Sequence, residues 1–398
     1  MPKKRLGVYI DVVYHVVETS TETRVSTDRS FLLFVAAVGE AFDRVVLFGR
    51  TVATAEDAEY VLPHEVELVR LPHYANLRRL ADVAKAAVGT LANLWRGTSQ
   101  VDVLWVFGPH PFAVAAATFG LLRRKQVVLG VRQYSVRLYQ VRVKGWKKGP
   151  AVGAMWLLDL AFRVLGRRGQ FIVQGAELAA RYGGGRRGNV LALTESVVRA
   201  GDVAPSVPQR NWDGTLELLT VGRLEAEKNP LLLVEALARL HRAAPGRYRL
   251  TWVGRGPLED AVLGRAGALG VDGLITLIGY VPFGSQLLDL YRRAHLFVHV
   301  SLSEGMPKVL IEALACGTPL VATDVGGIRA ALGDGVALLV PPADEDALVG
   351  AIERIAGDAA LRSRLAEEGL VLARSMTLEA EADRVVRFLQ SRGEADAR

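Results

Sequence analysis

The chain has 398 residues, half of them hydrophobic, and carries 49 Lys and Arg against 42 Asp and Glu, a formal net charge of +7. This length predicts two domains, and the composition lets each half of the chain bury its own core. The single cysteine, Cys316, excludes intramolecular disulfides and fits a reducing compartment.

Targeting and membrane-spanning segments are not expected. The basic residues 3–5 lead directly into a predicted strand at 6–10, without the apolar stretch of a signal peptide. The apolar run 111–122 is too short to span a bilayer, and Asp159 and Arg163 interrupt the next candidate. We therefore expect a cytoplasmic protein that is soluble, or peripheral on the inner face of the cell membrane.

Strands and helices alternate along the whole chain. In the first half, strands are predicted at 6–10, 45–48, 66–69, 101–107, 127–131 and 171–173, with helices at 31–41, 77–94, 112–122 and 150–165. In the second half, strands are predicted at 216–221, 248–253, 275–278, 296–300, 319–322 and 337–340, with helices at 230–243, 258–269, 285–293, 308–316, 328–332, 347–356 and 378–390. This alternation predicts an α/β protein with two parallel, doubly wound sheets, joined by a linker at 204–209.

Basic residues are concentrated in the first half of the chain. Residues 123–187 contain 15 Lys and Arg, with Asp159 and Glu177 as the acids. Such a block predicts an anionic partner, and solvated arginines on helix faces are the alternative.

The segment 301–319, SLSEGMPKVLIEALACGTP, places Glu304 in a polar loop and Glu312 in the second turn of the following helix. Backbone N–H groups of Gly305, Met306 and Lys308 at the helix N-terminus favour a diphosphate. Carboxylates accept hydrogen bonds from vicinal hydroxyls, so Glu304 can hold a hexose and Glu312 a ribose. Alternatively, Glu304 is a solvated loop residue and Glu312 lies on a helix surface.

A second polar segment, 220–230, follows the first strand of the second half. Gly222 permits a tight turn at the strand end, and Arg223 and Lys228 then lie where doubly wound sheets bind ligands. A guanidinium and an ammonium suit a diphosphate. The alternative is a surface ion pair with Glu225 or Glu227.

The two segments together resemble the Glu, seven residues, Glu signature and the Gly-Arg, four residues, Lys segment of glycosyltransferase family 4, the retaining glycosyl transferases group 1. The resemblance covers about residues 215–345. It implies a GT-B fold of two Rossmann-like domains that face each other across a cleft. Residues 1–205 would form the acceptor-side domain, 206–376 the nucleotide-sugar domain, and the helix 377–398 would pack back on the first domain.

The resemblance also implies roles for individual residues. Arg223 and Lys228 would stabilise the leaving nucleoside diphosphate, and Glu304 would orient the transferred sugar. Further donor-binding residues would come from the loops after the strands of the second domain. They are Gly222, Gly254, Arg255, Tyr280, Val281, Gly305, Met306, Pro307, Lys308, Val309 and Glu312.

The first half departs more from the family pattern. Its first loop, predicted at 14–23, lacks the glycine pair that family members often carry near the donor phosphates. Arg132 stands where many members have a histidine, and it either stabilises phosphate charge or pairs with an acid. His110, after a predicted strand, is a candidate for the acceptor or sugar side, and a loop histidine with structural hydrogen bonds is the alternative. In the second half, Ala330 replaces the acid usual after the glycine pair at 326–327.

No metal or other cofactor is expected. Asp344 and Asp346 have the spacing of a metal-binding Asp-x-Asp motif, but they begin a helix, where N-capping explains them. The seven histidines show no zinc-ligand spacing. We therefore predict metal-independent chemistry.

These observations predict a hexosyltransferase-type enzyme that moves a sugar from a nucleoside diphosphate donor to an acceptor hydroxyl with retention. A lipid-linked or polysaccharide acceptor of cell-envelope synthesis is expected. One alternative is a sugar-nucleotide epimerase or glycosyl phosphorylase on the same fold. Another is a non-enzymatic binder of anionic membranes or nucleic acid, although the second-half motifs argue against a purely binding protein, and no nucleic acid partner is expected.

The segment 141–168 predicts contact with an anionic bilayer surface. Lys144, Lys147 and Lys148 flank Trp146 and precede an apolar helix that ends among Arg163, Arg167 and Arg168. Cations beside an aromatic-rich amphipathic helix suit such docking. The alternative for the helix is packing on the sheet.

Overall fold

The computed structural model of the protein describes residues 4–18, 23–54, 58–63, 66–75, 80–142, 145, 148–183 and 189–395. The chain divides into two compact units. Unit 1 contains the residues up to Glu195 and those from Glu381 onward, and unit 2 contains Ser196–Ala380.

Unit 1 is built around one sheet with helices on both faces. Its strands are β1 (Arg5–Glu18), β2 (Thr23–Thr27), β3 (Arg44–Ala53), β4 (Tyr60–Val61), β5 (Val66–Leu71), β6 (Val103–Gly108), β7 (Gln126–Val131), β8 (Gln170–Gln174) and β9 (Val190–Leu193). Its helices are α1 (Phe31–Gly39), α2 (Leu80–Gly97), α3 (Pro111–Leu122), α4 (Ser135–Arg142), α5 (Lys148–Gly166) and α6 (Ala176–Tyr182).

The main part of this sheet is parallel, in the order β5-β3-β1-β6-β7-β8-β9. Its central strands are continuous apolar runs because both of their faces are covered, as β6 illustrates with five consecutive buried residues from Val103 to Phe107. The predicted strands of the first half are therefore confirmed.

The predicted loop at 14–23 is wrong for the residues that the structure describes. β1 continues to Glu18, and β2 returns antiparallel to it, with His15 opposite Ser26 and Val17 opposite Arg24. Val16 and Val17 are buried, and β-branched residues favour a pleated strand over a loop. Residues 19–22 lie outside the described part.

Unit 2 contains a second parallel sheet. Its strands are β10 (Leu216–Val221), β11 (Tyr248–Val253), β12 (Ile275–Gly279), β13 (Leu296–His299), β14 (Leu320–Thr323) and β15 (Leu338–Val340). Its helices are α7 (Pro230–Ala243), α8 (Glu259–Leu269), α9 (Ser285–Arg293), α10 (Lys308–Ala315), α11 (Ile328–Leu332), α12 (Glu345–Gly357) and α13 (Ala359–Ser375), and α14 (Leu378–Ala395) begins in this unit.

The strand order of unit 2 is β12-β11-β10-β13-β14-β15. The chain moves outward from β10 in one direction and then from β13 in the other, which makes this a doubly wound sheet. Apolar residues of one face pack on α7, α8 and α12, and those of the other face pack on α9, α10 and α11. The α/β fold class with two Rossmann-like sheets is confirmed.

The last helix packs on unit 1. Glu381 accepts a hydrogen bond from the backbone N–H of Thr194, and Arg384 donates one to the carbonyl of Ala192. The division between units falls after Glu195, ten residues before the expected boundary at 205/206. Residues in between belong to unit 2, since Ala204 donates a backbone hydrogen bond to Ala315 of α10.

Candidate functional site

The predicted donor-binding residues of unit 2 follow the carboxyl ends of its strands. Residues 222–229 follow β10, 254–257 follow β11, 280–283 follow β12, and 300–307 follow β13. Parallel strands end at the same edge of a sheet, and ligands bind doubly wound sheets where the winding direction changes. In unit 2 this change falls between β10 and β13.

At this point Lys228 and Glu304 form an ion pair. The ammonium of Lys228 contacts Oε1 of Glu304, and both side chains are largely buried, at 18% and 12% exposure. The backbone N–H of Leu302 also donates to the carbonyl of Glu227, at 2.8 Å. The loops after β10 and β13 are therefore joined by main-chain and side-chain contacts.

His299, the last residue of β13, holds the same carboxylate. Its Nε2 lies 3.0 Å from Oε1 of Glu304 and 3.1 Å from Oγ of Ser301. Thr323 on the neighbouring β14 donates to the carbonyl of Ser301, at 2.6 Å. The position of Glu304 is thus set by the adjacent strands as well as by its own loop.

These contacts keep Glu304 ionised. Burial alone would raise its pKa, but the hydrogen bond from His299 and the charge of Lys228 outweigh burial and lower the pKa from 4.5 to about 2. Burial lowers the pKa of His299, so its imidazole is neutral at pH 7 and donates to the carboxylate. Because the pKa of Glu304 is lower in the folded than in the unfolded chain, its ionised form stabilises the fold above about pH 4.5. This contribution to stability is lost as the pH falls towards 2.

Arg223 lies at the same edge but is more exposed, at 56%. Its Nη1 lies 2.6 Å from Oε1 of Glu225 and its Nη2 lies 3.0 Å from Oε1 of Glu227. The surface ion pairs considered in the sequence analysis are therefore present. Exposed pairs of this kind contribute little stability, typically below about 1 kcal/mol, so a strongly anionic ligand can compete for the guanidinium.

The loop that carries Glu304 is held by the glycine pair after β14. A Cβ on Gly326 would lie 1.9 Å from the carbonyl oxygen of Glu304, and the φ of Gly326 is +57°. The N–H of Gly327 donates to the carbonyl of Gly305, at 3.1 Å. Glycine is therefore required at position 326. The glycine pair thus keeps its structural role in this chain, where Ala330 replaces the acid that the family usually has.

The loops after β10 and β11 approach each other equally closely. A Cβ on Gly254 would lie 2.0 Å from the carbonyl oxygen of Gly222, which also accepts a hydrogen bond from the indole of Trp252. The exposed Arg255 and Tyr280 follow β11 and β12, whereas the side chain of Val281 is buried in the core.

The helix α10 begins where the second segment predicts. Pro307 is its N-cap residue, Lys308 its first residue, and Val309 packs partly buried against the core. The side chain of Met306 is buried, so this residue can offer a ligand only its backbone.

Glu312 is buried rather than on the helix surface. It is 5% exposed, and its Oε2 accepts a hydrogen bond of 2.8 Å from the hydroxyl of Tyr291 on α9. Burial raises the pKa of Glu312 and also that of Tyr291. The interpretation of Glu312 as a surface residue is therefore wrong, because α10 presents this face to α9.

In unit 1, His110 belongs to a buried polar cluster at the carboxyl ends of the central strands. Its Nε2 lies 3.3 Å from Asp11 and 3.3 Å from the hydroxyl of Tyr74, and its Nδ1 lies 3.3 Å from the hydroxyl of Tyr9. Asp11 also pairs with Arg50, at 2.9 Å, and accepts from Tyr74, at 2.7 Å. Burial lowers the pKa of His110 and keeps it neutral.

Arg132, directly after β7, pairs with an acid of its own unit. Its Nη2 lies 2.8 Å from Oε2 of the buried Glu195, and its guanidinium lies over the ring of Phe31. This is one of the two roles considered for Arg132, and a role towards phosphate stays a prediction.

Several residues of these clusters were not singled out from the sequence. Asp11 and Arg50 interrupt the apolar runs of β1 and β3, and His299 ends β13, so a polar residue in an apolar strand is the signal that draws attention to these positions, although it does not reveal a role. Within the described ranges, no group of three His, Cys, Asp or Glu side chains suits a metal ion. Asp344 accepts a hydrogen bond from the N–H of Ala347, which confirms its N-capping role.

Comparison with known proteins finds a family match within unit 2. Residues 207–370 match the model of the family described as glycosyl transferases group 1. The D-inositol 3-phosphate glycosyltransferase of Frankia alni is 40% identical over 178 residues, which cover 42% of this chain and 44% of that protein. The chain thus matches less than half the length of this curated relative.

Solved structures share the fold over nearly the whole chain. Sucrose-phosphate synthase from Thermosynechococcus elongatus has a TM-score of 0.72 at 19% identity, with 99% of this chain and 100% of that chain covered. Anabaena Alr3699/HepE in complex with UDP-glucose has a TM-score of 0.68 at 14% identity, with 98% and 100% covered. The fold is therefore that of GT-B glycosyltransferases.

We predict that His299→Leu raises the pKa of Glu304. Loss of a hydrogen bond to a charged group, typically about 1.5–3 kcal/mol, corresponds to a rise of roughly one to two pKa units. Carbon-13 NMR titration of the glutamate carboxyls measures it, with Glu304→Gln to assign the signal. His241→Ala, on the distant end of α7, is the control. A pKa that stays near 2 in His299→Leu would show that Lys228 alone sets it.

Proposed function

We propose that the protein transfers a sugar from a nucleoside diphosphate sugar to an acceptor hydroxyl, with retention at the anomeric carbon. The observation that carries the proposal is the pairing of Lys228 with Glu304 where the sheet of unit 2 changes direction. It lies inside residues 207–370, which match the family of glycosyl transferases group 1. This proposal places the chain with the retaining transferases of family 4.

The cations of the site bind the donor diphosphate. Arg223 offers an exposed planar guanidinium, and Lys228 offers an ammonium that its contact with Glu304 holds in place. The backbone N–H groups of Gly305, Met306 and Lys308 at the start of α10 add partial positive charge. These groups stabilise the negative charge that develops on the leaving diphosphate, and we propose that no metal ion or other cofactor is needed.

The two carboxylates bind hydroxyls of the donor. Glu304 stays ionised and accepts hydrogen bonds from the transferred hexose, while Glu312 accepts from the ribose beside its contact with Tyr291. We propose that the exposed side chains of Arg255 and Tyr280 stack on the nucleobase.

In the proposed reaction, the acceptor oxygen attacks the anomeric carbon from the face that the diphosphate leaves. The bond from the anomeric carbon to the diphosphate oxygen breaks as the new glycosidic bond forms. The leaving diphosphate takes the acceptor proton, so that no side-chain nucleophile is required. We propose that His110 and Arg132 of unit 1 contact the acceptor or the transferred sugar. We also propose that the acceptor of the reaction is a lipid-linked or polysaccharide molecule of envelope synthesis.

The diphosphate role predicts that Arg223→Ala and Lys228→Ala each lose about 10²–10³-fold in turnover, because each removes a charge that stabilises the transition state. Release of nucleoside diphosphate from a panel of nucleotide sugars measures this. Arg239→Ala, which removes another exposed, ion-paired arginine of unit 2, is the control.

Near-normal turnover in both variants would contradict the assignment. Product analysis separates the alternatives, since an epimerase converts the donor alone and a phosphorylase requires orthophosphate.

The two carboxylates predict different kinetic effects. Glu312→Gln should mainly weaken binding of the nucleoside diphosphate, since it alters the ribose contact. Glu304→Gln should mainly lower turnover, since it alters the orientation of the sugar. Calorimetric titration with the nucleoside diphosphate, together with steady-state kinetics, tests both. Unchanged affinity in Glu312→Gln would exclude the ribose role.

Metal independence predicts that treatment with EDTA leaves turnover unchanged, because Arg223, Lys228 and the start of α10 supply the positive charge. Turnover before and after chelation, and after re-addition of Mg²⁺ or Mn²⁺, measures this. Loss of activity that a divalent ion restores would refute it.

A further inference from the structure

Three helices of unit 1 carry an exposed apolar surface. Among the described residues of unit 1, the large hydrophobic side chains that are exposed lie on these helices, apart from Val61. We refer to the exposed hydrophobic side chains on these three helices as the apolar face. The apolar face consists of Val88, Leu91 and Trp95 on α2, Leu122 on α3, and Trp156, Leu157, Leu160 and Val164 on α5.

The three helices form one layer on the same side of the sheet. Leu94 of α2, Ala116 of α3 and Phe162 of α5 are buried in one common core cluster, so the opposite sides of these helices point outward together. The middle helix, α3, contains no charged residue along its length. The rings of Trp95 and Phe119 are in contact across α2 and α3, with centroids 5.2 Å apart.

Cations line one edge of this layer. Helices that connect parallel strands run opposite to them, so α2, α3 and α5 all end at the edge where the strands begin. The cations at these helix ends, which we call the basic edge, are Arg96, Arg123, Arg124, Lys125, Arg167 and Arg168. Helix dipoles favour cations there, but they do not account for the apolar residues beside them.

Acidic side chains are few in this layer, and Asp82, in the first turn of α2, lies at the end of that helix opposite the basic edge. The acids between residues 83 and 168 are Asp102 and Asp159. Asp102 pairs with Arg5, at 3.0 Å, and Asp159 is buried beneath Arg163 and the hydroxyl of Tyr182. The layer therefore presents positive charge next to exposed tryptophan and leucine.

We propose that this layer is a docking surface for an anionic lipid bilayer. The basic edge binds lipid phosphates, and Trp95, Trp156 and Leu157 enter the boundary between headgroups and acyl chains. Residues 144, 146 and 147, which also suggested membrane contact, lie outside the described part of the chain. The proposal rests on the described helices and does not depend on the transfer reaction.

The layer lies on the bilayer rather than crossing it. By length and composition, α5 is long and apolar enough to span a membrane, despite Asp159 and Arg163, and 22% of that segment is buried in the protein. However, Met155, Asp159 and Phe162 form its inner side, and Asp159 holds Tyr182 of α6. A spanning α5 would break these contacts and place a carboxylate in the hydrocarbon.

Co-sedimentation of the full chain with vesicles tests the proposal. Vesicles of phosphatidylcholine with phosphatidylglycerol should bind the protein, whereas vesicles of phosphatidylcholine alone should not, and added salt should reduce binding. Leu157→Glu should abolish the interaction, and Arg96→Glu combined with Arg168→Glu should weaken it by at least about tenfold. The matched controls in unit 2 are Val371→Glu, for an equally exposed apolar residue, and Arg242→Glu with Arg249→Glu.

Each alternative has its own signature. Wild-type protein that ignores anionic vesicles at low salt overturns the proposal. So does protein that resists extraction from vesicles by high salt and carbonate, which would indicate a spanning α5. A dimer that dissociates in Leu157→Glu, with vesicle binding unchanged, would show that a second copy covers the face. Nucleoside diphosphate binding, measured in parallel, separates failure here from failure of the proposed transfer.

Discussion

The contact between Lys228 and Glu304 joins the two halves of the sheet in unit 2. One residue follows β10 and the other follows β13, and these are the neighbouring strands from which the chain winds in opposite directions. Winding in opposite directions carries the connecting helices to opposite faces and leaves the strand ends uncovered. Charged side chains can remain there at low exposure because each has a partner, and removal of either partner would leave an uncompensated buried charge.

The ion pairs at this edge of the sheet also determine which contacts a ligand would have to replace. The site is neutralised internally, since Arg223 pairs with Glu225 and Glu227 while Lys228 pairs with Glu304. In the proposed function, a bound diphosphate would replace the weak exposed pairs at Arg223 and would share Lys228 with the ionised carboxylate of Glu304. The glycines at 254 and 326 let the supporting loops approach backbone to backbone, which fixes these side chains before a ligand arrives.

Local sequence patterns predicted much of the fold, but they predicted less of the arrangement of residues at the candidate sites. Buried parallel strands are short apolar runs bounded by glycine and proline, so their positions are visible in the chain. The extension of β1 beyond Ile10 was missed because its pairing with β2 depends on contacts that no local pattern specifies. His299 was predicted only as part of a strand, since a histidine in an apolar run looks the same whether it packs or binds. Burial of Glu312 and the cluster around Asp11 depend on residues distant in sequence, such as Tyr291 and Tyr74.

Asp159 has a consequence for the synthesis of the chain. Its carboxylate is buried in the folded protein, where it anchors Tyr182 and pairs with Arg163. By length and composition alone, the segment Lys148–Gly166 is apolar enough to cross a membrane. An aspartate near the centre of such a stretch costs about 2.5–3.5 kcal/mol in insertion, and Arg163 adds to this. A residue that stabilises the native core thus also biases the nascent chain against integration into the membrane.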